Sequence, residues 1–123
     1  SLQLAAPHVM LGLNVFAADT DREAALLFTS LQQAFVNLRR GTPGLLAPPD
    51  ELFPSSLLPY ERAMLDDVLS CTVVGAPETV RRGIDDFVER TGADEVIVTS
   101  QVFDHAARLR SFEIVAEVAG VVR

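Results

Sequence analysis

The chain has 123 residues, 49% of them hydrophobic and 22% charged, with seven Gly, seven Pro, one Cys and no Trp. A composition this apolar excludes intrinsic disorder, and the lack of an unbroken run of about 18 apolar residues argues against a membrane span. Ten Arg and no Lys against seventeen acids give a net charge of -7, which makes nucleic acids and anionic membranes poor partners. The expected compartment is the cytoplasm, because the single Cys71 cannot form an intrachain disulfide and the first residues lack the pattern of a secretion signal. Cys71 stands between Ser70 and Thr72 with no second thiol or metal-ligand spacing, and is expected to be a buried or half-buried packing residue.

Val9 to Ala18 is nearly continuous apolar sequence broken only by Asn14, the pattern of a parallel strand covered on both faces. Thr20 and Glu23 then form a capping box that opens a helix, whose stripe is Leu27, Leu31, Ala34, Phe35 and Leu38 and whose stop is Gly41. From Gly41 to Pro59 five prolines fall within nineteen residues, so no regular element is expected. Loops this long are usually functional, and Leu45, Leu46, Leu52, Phe53, Leu57 and Leu58 make this one a segment folded back over something. Pro59 to Leu69 reads as a short helix with Pro in its first turn.

Val80, Ile84, Phe87 and Val88 mark a further helix that stops at Gly92, and Glu95 to Ser100 is a β-branched strand. Asp104 caps a last helix with Leu109, Phe112, Val115, Ala116 and Ala119 on one side. The order amounts to two βα units, and a right-handed crossover would make their strands parallel. Two such strands leave open edges that either more chain or a second copy of this one must cover. A (β/α)8 barrel takes about 250 residues, so the chain is expected to be the C-terminal portion of a barrel, incomplete by itself, over residues 1–123.

Several of these runs resemble the luciferase-like flavin-dependent monooxygenases. They are Ala17-Ala18-Asp19-Thr20-Asp21-Arg22-Glu23-Ala24, the Arg40-Gly41-x-Pro43-Gly44 turn, Val74-Gly75-Ala76-Pro77-Glu78-Thr79-Val80, Thr91-Gly92-Ala93-Asp94-Glu95, and Asp104-His105-x-x-Arg108-Leu109-Arg110-Ser111. The resemblance implies the last two βα units of a TIM barrel plus a long insertion. It also implies reduced FMN, supplied by a separate flavin reductase, which reacts with O2 to a peroxyflavin that oxygenates a small organic substrate. A sister branch uses a deazaflavin instead. Segment 41–59 is similar to the mobile lid that closes over flavin in this family, where the physical need is exclusion of water. The principal catalytic residues of the family lie in the part this sequence lacks, so the chain alone is expected to be inactive. Its partner is then the missing N-terminal barrel portion. A non-catalytic, self-associating α/β module is the competing reading.

Ligand-facing positions of such barrels lie at the C-terminal ends of the strands. Asn14 is there either as a hydrogen-bonding group aimed at the cofactor or as a satisfied core amide. Thr99, Ser100 and Gln101 follow the second strand, as cofactor contacts or as ordinary polar strand caps. Arg108 is preferred over Arg110 for a phosphate, with surface pairing to Glu113 or Glu117 as the alternative. Asp104 and His105 are adjacent on a helix and make a cap beside a solvated ring, not a dyad. His8 is expected at the surface. Asp66-Asp67 and Asp85-Asp86 are solvated faces that imply no metal. Dinucleotide, P-loop, zinc-protease and hydrolase motifs are missing from the sequence.

Overall fold

The computed structural model describes residues 8–120, and in it the apolar run after His8 becomes strand β1 (Met10–Ala17). The chain continues through α1 (Asp21–Arg39), a 3-10 turn (Phe53–Ser56), α2 (Pro59–Val68), β2 (Val73–Gly75), α3 (Pro77–Thr91), β3 (Glu95–Thr99) and α4 (His105–Val118). β1 is the middle strand of a wholly parallel sheet of order β2-β1-β3. β3 pairs with Met10 to Asn14, and β2 with Val15 to Ala17, so the two neighbours divide the length of β1 between them. Periodicity gives two strands and the described residues form three: Val73–Gly75 is too short to carry a pattern of its own.

The helix ends follow the local chemistry. Thr20 Oγ1 accepts from the Glu23 amide at 3.1 Å, and Gly41 and Gly92 turn the chain at φ 78° and 68°. Asp104 accepts from the Ala107 amide at 2.9 Å. Segment 41–58 lies back on α1, and where the proline density predicts no regular element over 41–59 it contains one regular piece, the turn at Phe53–Ser56. Phe53 and Leu57 pack inward from it, while Leu45, Leu52 and Leu58 face solvent.

Two cores sandwich β1. Leu13, Val15 and Ala17 meet Val80, Phe87, Ile114 and Val115 of α3 and α4 on one face. Phe16 points the other way, toward Leu31, Val36, Leu65, Leu69 and Val102, with its ring 5.1 Å from that of Phe28. β3 departs from the expected double covering. Val96 and Val98 pack against the first core, but Glu95, Ile97 and Thr99 on the opposite face are exposed, as are Met10 and Gly12 beside them. The reason is reach: α1 packs on β1 and β2, near the C-terminal end of the sheet, and leaves that face of β3 open.

Two helix stripes also differ from the sequence reading. In α4, Ser111, Ile114 and Val115 are buried while Leu109 and Phe112 are exposed, because the inward stripe runs through a serine. In α1, Leu38 is exposed and Val36 buried, since α2 packs on a second flank of that helix with Leu65 and Leu69 in the same core. Cys71 is exposed rather than packed, standing in the turn that the Thr72 amide closes onto the Leu69 carbonyl at 3.0 Å.

Candidate functional site

Open parallel sheets offer their ligands the C-terminal ends of the strands. Here β3 ends its pairing at Asn14 and Thr99, while β1 runs on through Val15, Phe16 and Ala17. On that side the Val15 carbonyl and the Ala17 amide lose their ladder partners, and a buried polar backbone group must be satisfied somehow. Two serines do it. Ser100 Oγ donates to the Val15 carbonyl at 2.7 Å, and Ser111 Oγ accepts from the Ala17 amide at 3.0 Å. The two hydroxyls lie 3.0 Å apart, and the proton count closes with Ser111 donating to Ser100. Ser111 went unread in the sequence because a serine in an apolar stripe looks like an interruption.

Asn14 and Thr99 are register partners on the open face, and the Thr99 hydroxyl donates to Asn14 Oδ1. They line a shallow depression of about 240 Å³ together with Gly12, Phe35, Leu69 and Thr72. Of the residues singled out in the sequence, these two come together. Ser100 is turned away into the seam with α4. Gln101 is exposed just beyond it. Arg108 is exposed on α4, where its Nη2 lies 2.7 Å from His105 Nδ1.

The arginine that reaches the strand end is Arg110. Its Nη2 lies 2.7 Å and its Nε 3.1 Å from Asp19 Oδ1, and it also bonds Glu113, with Glu117 at 3.8 Å. Hydrogen bonds to Asp19 first, and then to Glu113, raise its pKa above the ordinary arginine value. It lines a cavity of about 210 Å³ with Ala18, Asp19, Glu23, Leu27 and Ala107. Helical spacing held the signal: Arg110 is three residues past Ala107 and three before Glu113. Both spaces are smaller than the roughly 300–1,000 Å³ of a complete small-molecule site.

The N-terminus of α3 is the other strand-end feature, since such ends attract anions. Ala76 has no capping side chain, and Asp21 of α1 takes its place, accepting from the Ala76 amide at 2.7 Å. That backbone bond, followed by one from Thr79, holds the Asp21 carboxyl below its usual pKa. Gly75 permits the approach, because a Cβ there would lie 2.4 Å from Thr79 Cγ2 and 2.8 Å from Asp21 Oδ1. Among the described residues no group of three or more His, Cys, Asp or Glu is placed to hold a metal ion, and no helix is long and apolar enough to cross a membrane.

No family model matches the chain. Over 118 residues it is 44% identical to a luciferase-like monooxygenase of Escherichia coli (strain K12), a match that covers 96% of this chain and 35% of that protein. Over 112 residues it is 49% identical to the uncharacterized protein YvbT of Bacillus subtilis (strain 168), covering 91% of this chain and 33% of the relative. Among solved structures, the crystal structure of apo-MsnO8 superposes with a TM-score of 0.71 at 25% identity, over 95% of this chain and 36% of the other. The chain therefore spans about a third of the length of the proteins it matches. A small parallel sheet that leaves one face of β3 and of the start of β1 exposed is consistent with part of a larger α/β fold.

Proposed function

We propose that the chain is the C-terminal third of a luciferase-like flavin-dependent monooxygenase. In this reading β1 and β3 are the last two strands of a (β/α)8 barrel, and β2 belongs to the insertion between them. The observation that carries it is the open sheet face of β1 and β3, which holds the Asn14 and Thr99 pair where a barrel would have its interior. The match to a third of the E. coli luciferase-like monooxygenase supports it.

The residues present fit one part of a flavin. Asn14 uses Oδ1 toward Thr99, which leaves its amide hydrogens as donors, while the Thr99 oxygen keeps lone pairs to accept. A donor beside an acceptor suits the carbonyl and imide edge of the isoalloxazine ring. The phosphate finds less here: Asp21 fills the start of α3, and Arg110 is already matched by carboxylates. Arg108, exposed beside His105, remains as the cation for it. Reduced FMN, when bound, supplies the electrons that activate O2 toward a small organic substrate, and a separate reductase supplies the reduced flavin. Segment 41–59 serves as the lid. The chain alone is inactive, because the rest of the barrel holds most of the cleft.

The test is reassembly. The chain is co-expressed with the part of the E. coli relative that it does not match, and each is titrated with FMN by absorbance. The chain alone should leave the flavin spectrum unchanged and the reassembled pair should shift it. Asn14→Leu in the pair should keep the circular dichroism and weaken binding by about tenfold or more, the cost of a lost buried hydrogen bond. Unchanged affinity would assign Asn14 to structure alone. A pair that binds a deazaflavin and not FMN would reject the FMN assignment.

A further inference from the structure

The two serines at the end of β1 form a closed relay. The Ala17 amide donates to Ser111 Oγ at 3.0 Å, Ser111 to Ser100 Oγ at 3.0 Å, and Ser100 to the Val15 carbonyl at 2.7 Å. The chain of bonds thus leaves β1 and returns to it two residues away. Each hydroxyl accepts one bond and donates one. Ser111 has no exposure to solvent and Ser100 only 5%, so a group stranded here has no water to turn to.

The relay sits where the pairing of β1 with β3 stops. Asn14 and Thr99 are the last register partners of the two strands. Val15 and Ser100 are the next residue on each, and the bond between them stands in for the next rung. Beyond it Gln101 is exposed, and Val102 is the next residue of that loop to be buried, in the second core. The Thr99 hydroxyl reaches Asn14 Oδ1 only while the two backbones keep ladder spacing, about 4.8 Å. The relay enforces that spacing from the side where α4 packs. The same helix grips the strand end farther on, because Arg110, the residue before Ser111, holds Asp19.

We propose that Ser111 is a positioning residue for the Asn14 and Thr99 pair. Acting through Ser100, it fixes the separation and direction of the donor and the acceptor that the pair offers to a ligand. That the ligand is a flavin rests on the reading above. Ser111 lies on the α4 side of the sheet, opposite the face that carries the pair, so its effect passes through the backbone of β1 and β3.

Two measurements test it. By NMR of the isotope-labelled chain without flavin, Ser111→Ala and Ser100→Ala should each move the Asn14 side-chain amide signals toward those of a free carboxamide. Val80→Ala removes apolar bulk from the same core on α3 without touching the relay, and should leave those signals in place. In the reassembled pair, each serine variant should weaken FMN binding by about five- to tenfold. The double serine variant should weaken it no further than either alone, since either change opens the same relay, and Val80→Ala should not weaken it. Asn14 signals that ignore both serine variants, or that move as far in Val80→Ala, would overturn the proposal. So would FMN affinities that fall equally in all three variants, or serine effects that simply add. A pair that binds no flavin at all refutes the flavin reading alone, and the Asn14 signals of the free chain still decide the positioning role.

Discussion

Gly83 lies inside α3, where glycine costs about 1 kcal/mol relative to alanine. On helix propensity alone, Gly83→Ala is a stabilising change. The structure predicts the reverse. A Cβ at position 83 would lie 2.6 Å from Val73 Cγ1, closer than real contacts allow, and 3.0 Å from its Cγ2. Val73 cannot swing away cheaply, since a β-branched side chain is stiff at χ1 and this one packs against the core beneath α3. Overpacking costs about 1–3 kcal/mol, which outweighs the propensity gain. The expected net loss is about 1 kcal/mol, or about 4 °C in Tm for a domain of this size, read by thermal and urea unfolding followed by circular dichroism. The second arm is Val73→Ala, which costs stability by itself but removes the obstacle. In the double variant Gly83→Ala should then stabilise, giving a coupling of about 2 kcal/mol. A single Gly83→Ala variant more stable than the parent chain, or a double variant that is merely additive, would refute the account of close helix-to-strand approach.

Ser111→Ala strands the buried Ala17 amide and removes a partner of Ser100, so it should lower unfolding free energy by about 1–3 kcal/mol, and an unchanged urea midpoint would show that the seam is dispensable. Glu61 is held below its usual pKa, chiefly by the Leu58 amide and then by Arg40, and Asp21 is held low by Ala76, Thr79 and the charge of Arg82. Both carboxylates bind protons more weakly folded than unfolded, so their contribution is complete above the ordinary carboxylate range and is lost as pH falls below about 4. Because acidification also relieves the net charge of -7, the useful measurement is the difference between parent and Glu61→Gln. It should shrink as pH drops from 6 to about 3, and a constant difference would contradict the assignment.

Much of the fold was legible in the chain because it rests on local chemistry. Thr20 with Glu23, Gly41, Gly92 and Asp104 bound their helices through hydrogen bonds and backbone angles set within a few residues. The apolar run at Met10–Ala17 marks a strand, and it is buried from Val15 onward. Of the candidate site, Asn14 and Thr99 were legible as polar residues at strand ends, and their pairing follows from the parallel register.

What tertiary structure decided was everything that depends on which elements meet. Ser100 and Ser111 are hydrogen-bonding plugs only because β3 ends before β1 does, a mismatch that neither strand carries in its own residues. Arg110 displaces Arg108 at the strand end because Asp19, 91 positions away, stands opposite it. β2 is a strand only because Val15 to Ala17 offer it an edge. Val96-Ile97-Val98-Thr99 reads as uniformly β-branched core, yet Ile97 and Thr99 face open space, because burial belongs to the neighbours that pack on a strand and not to the strand.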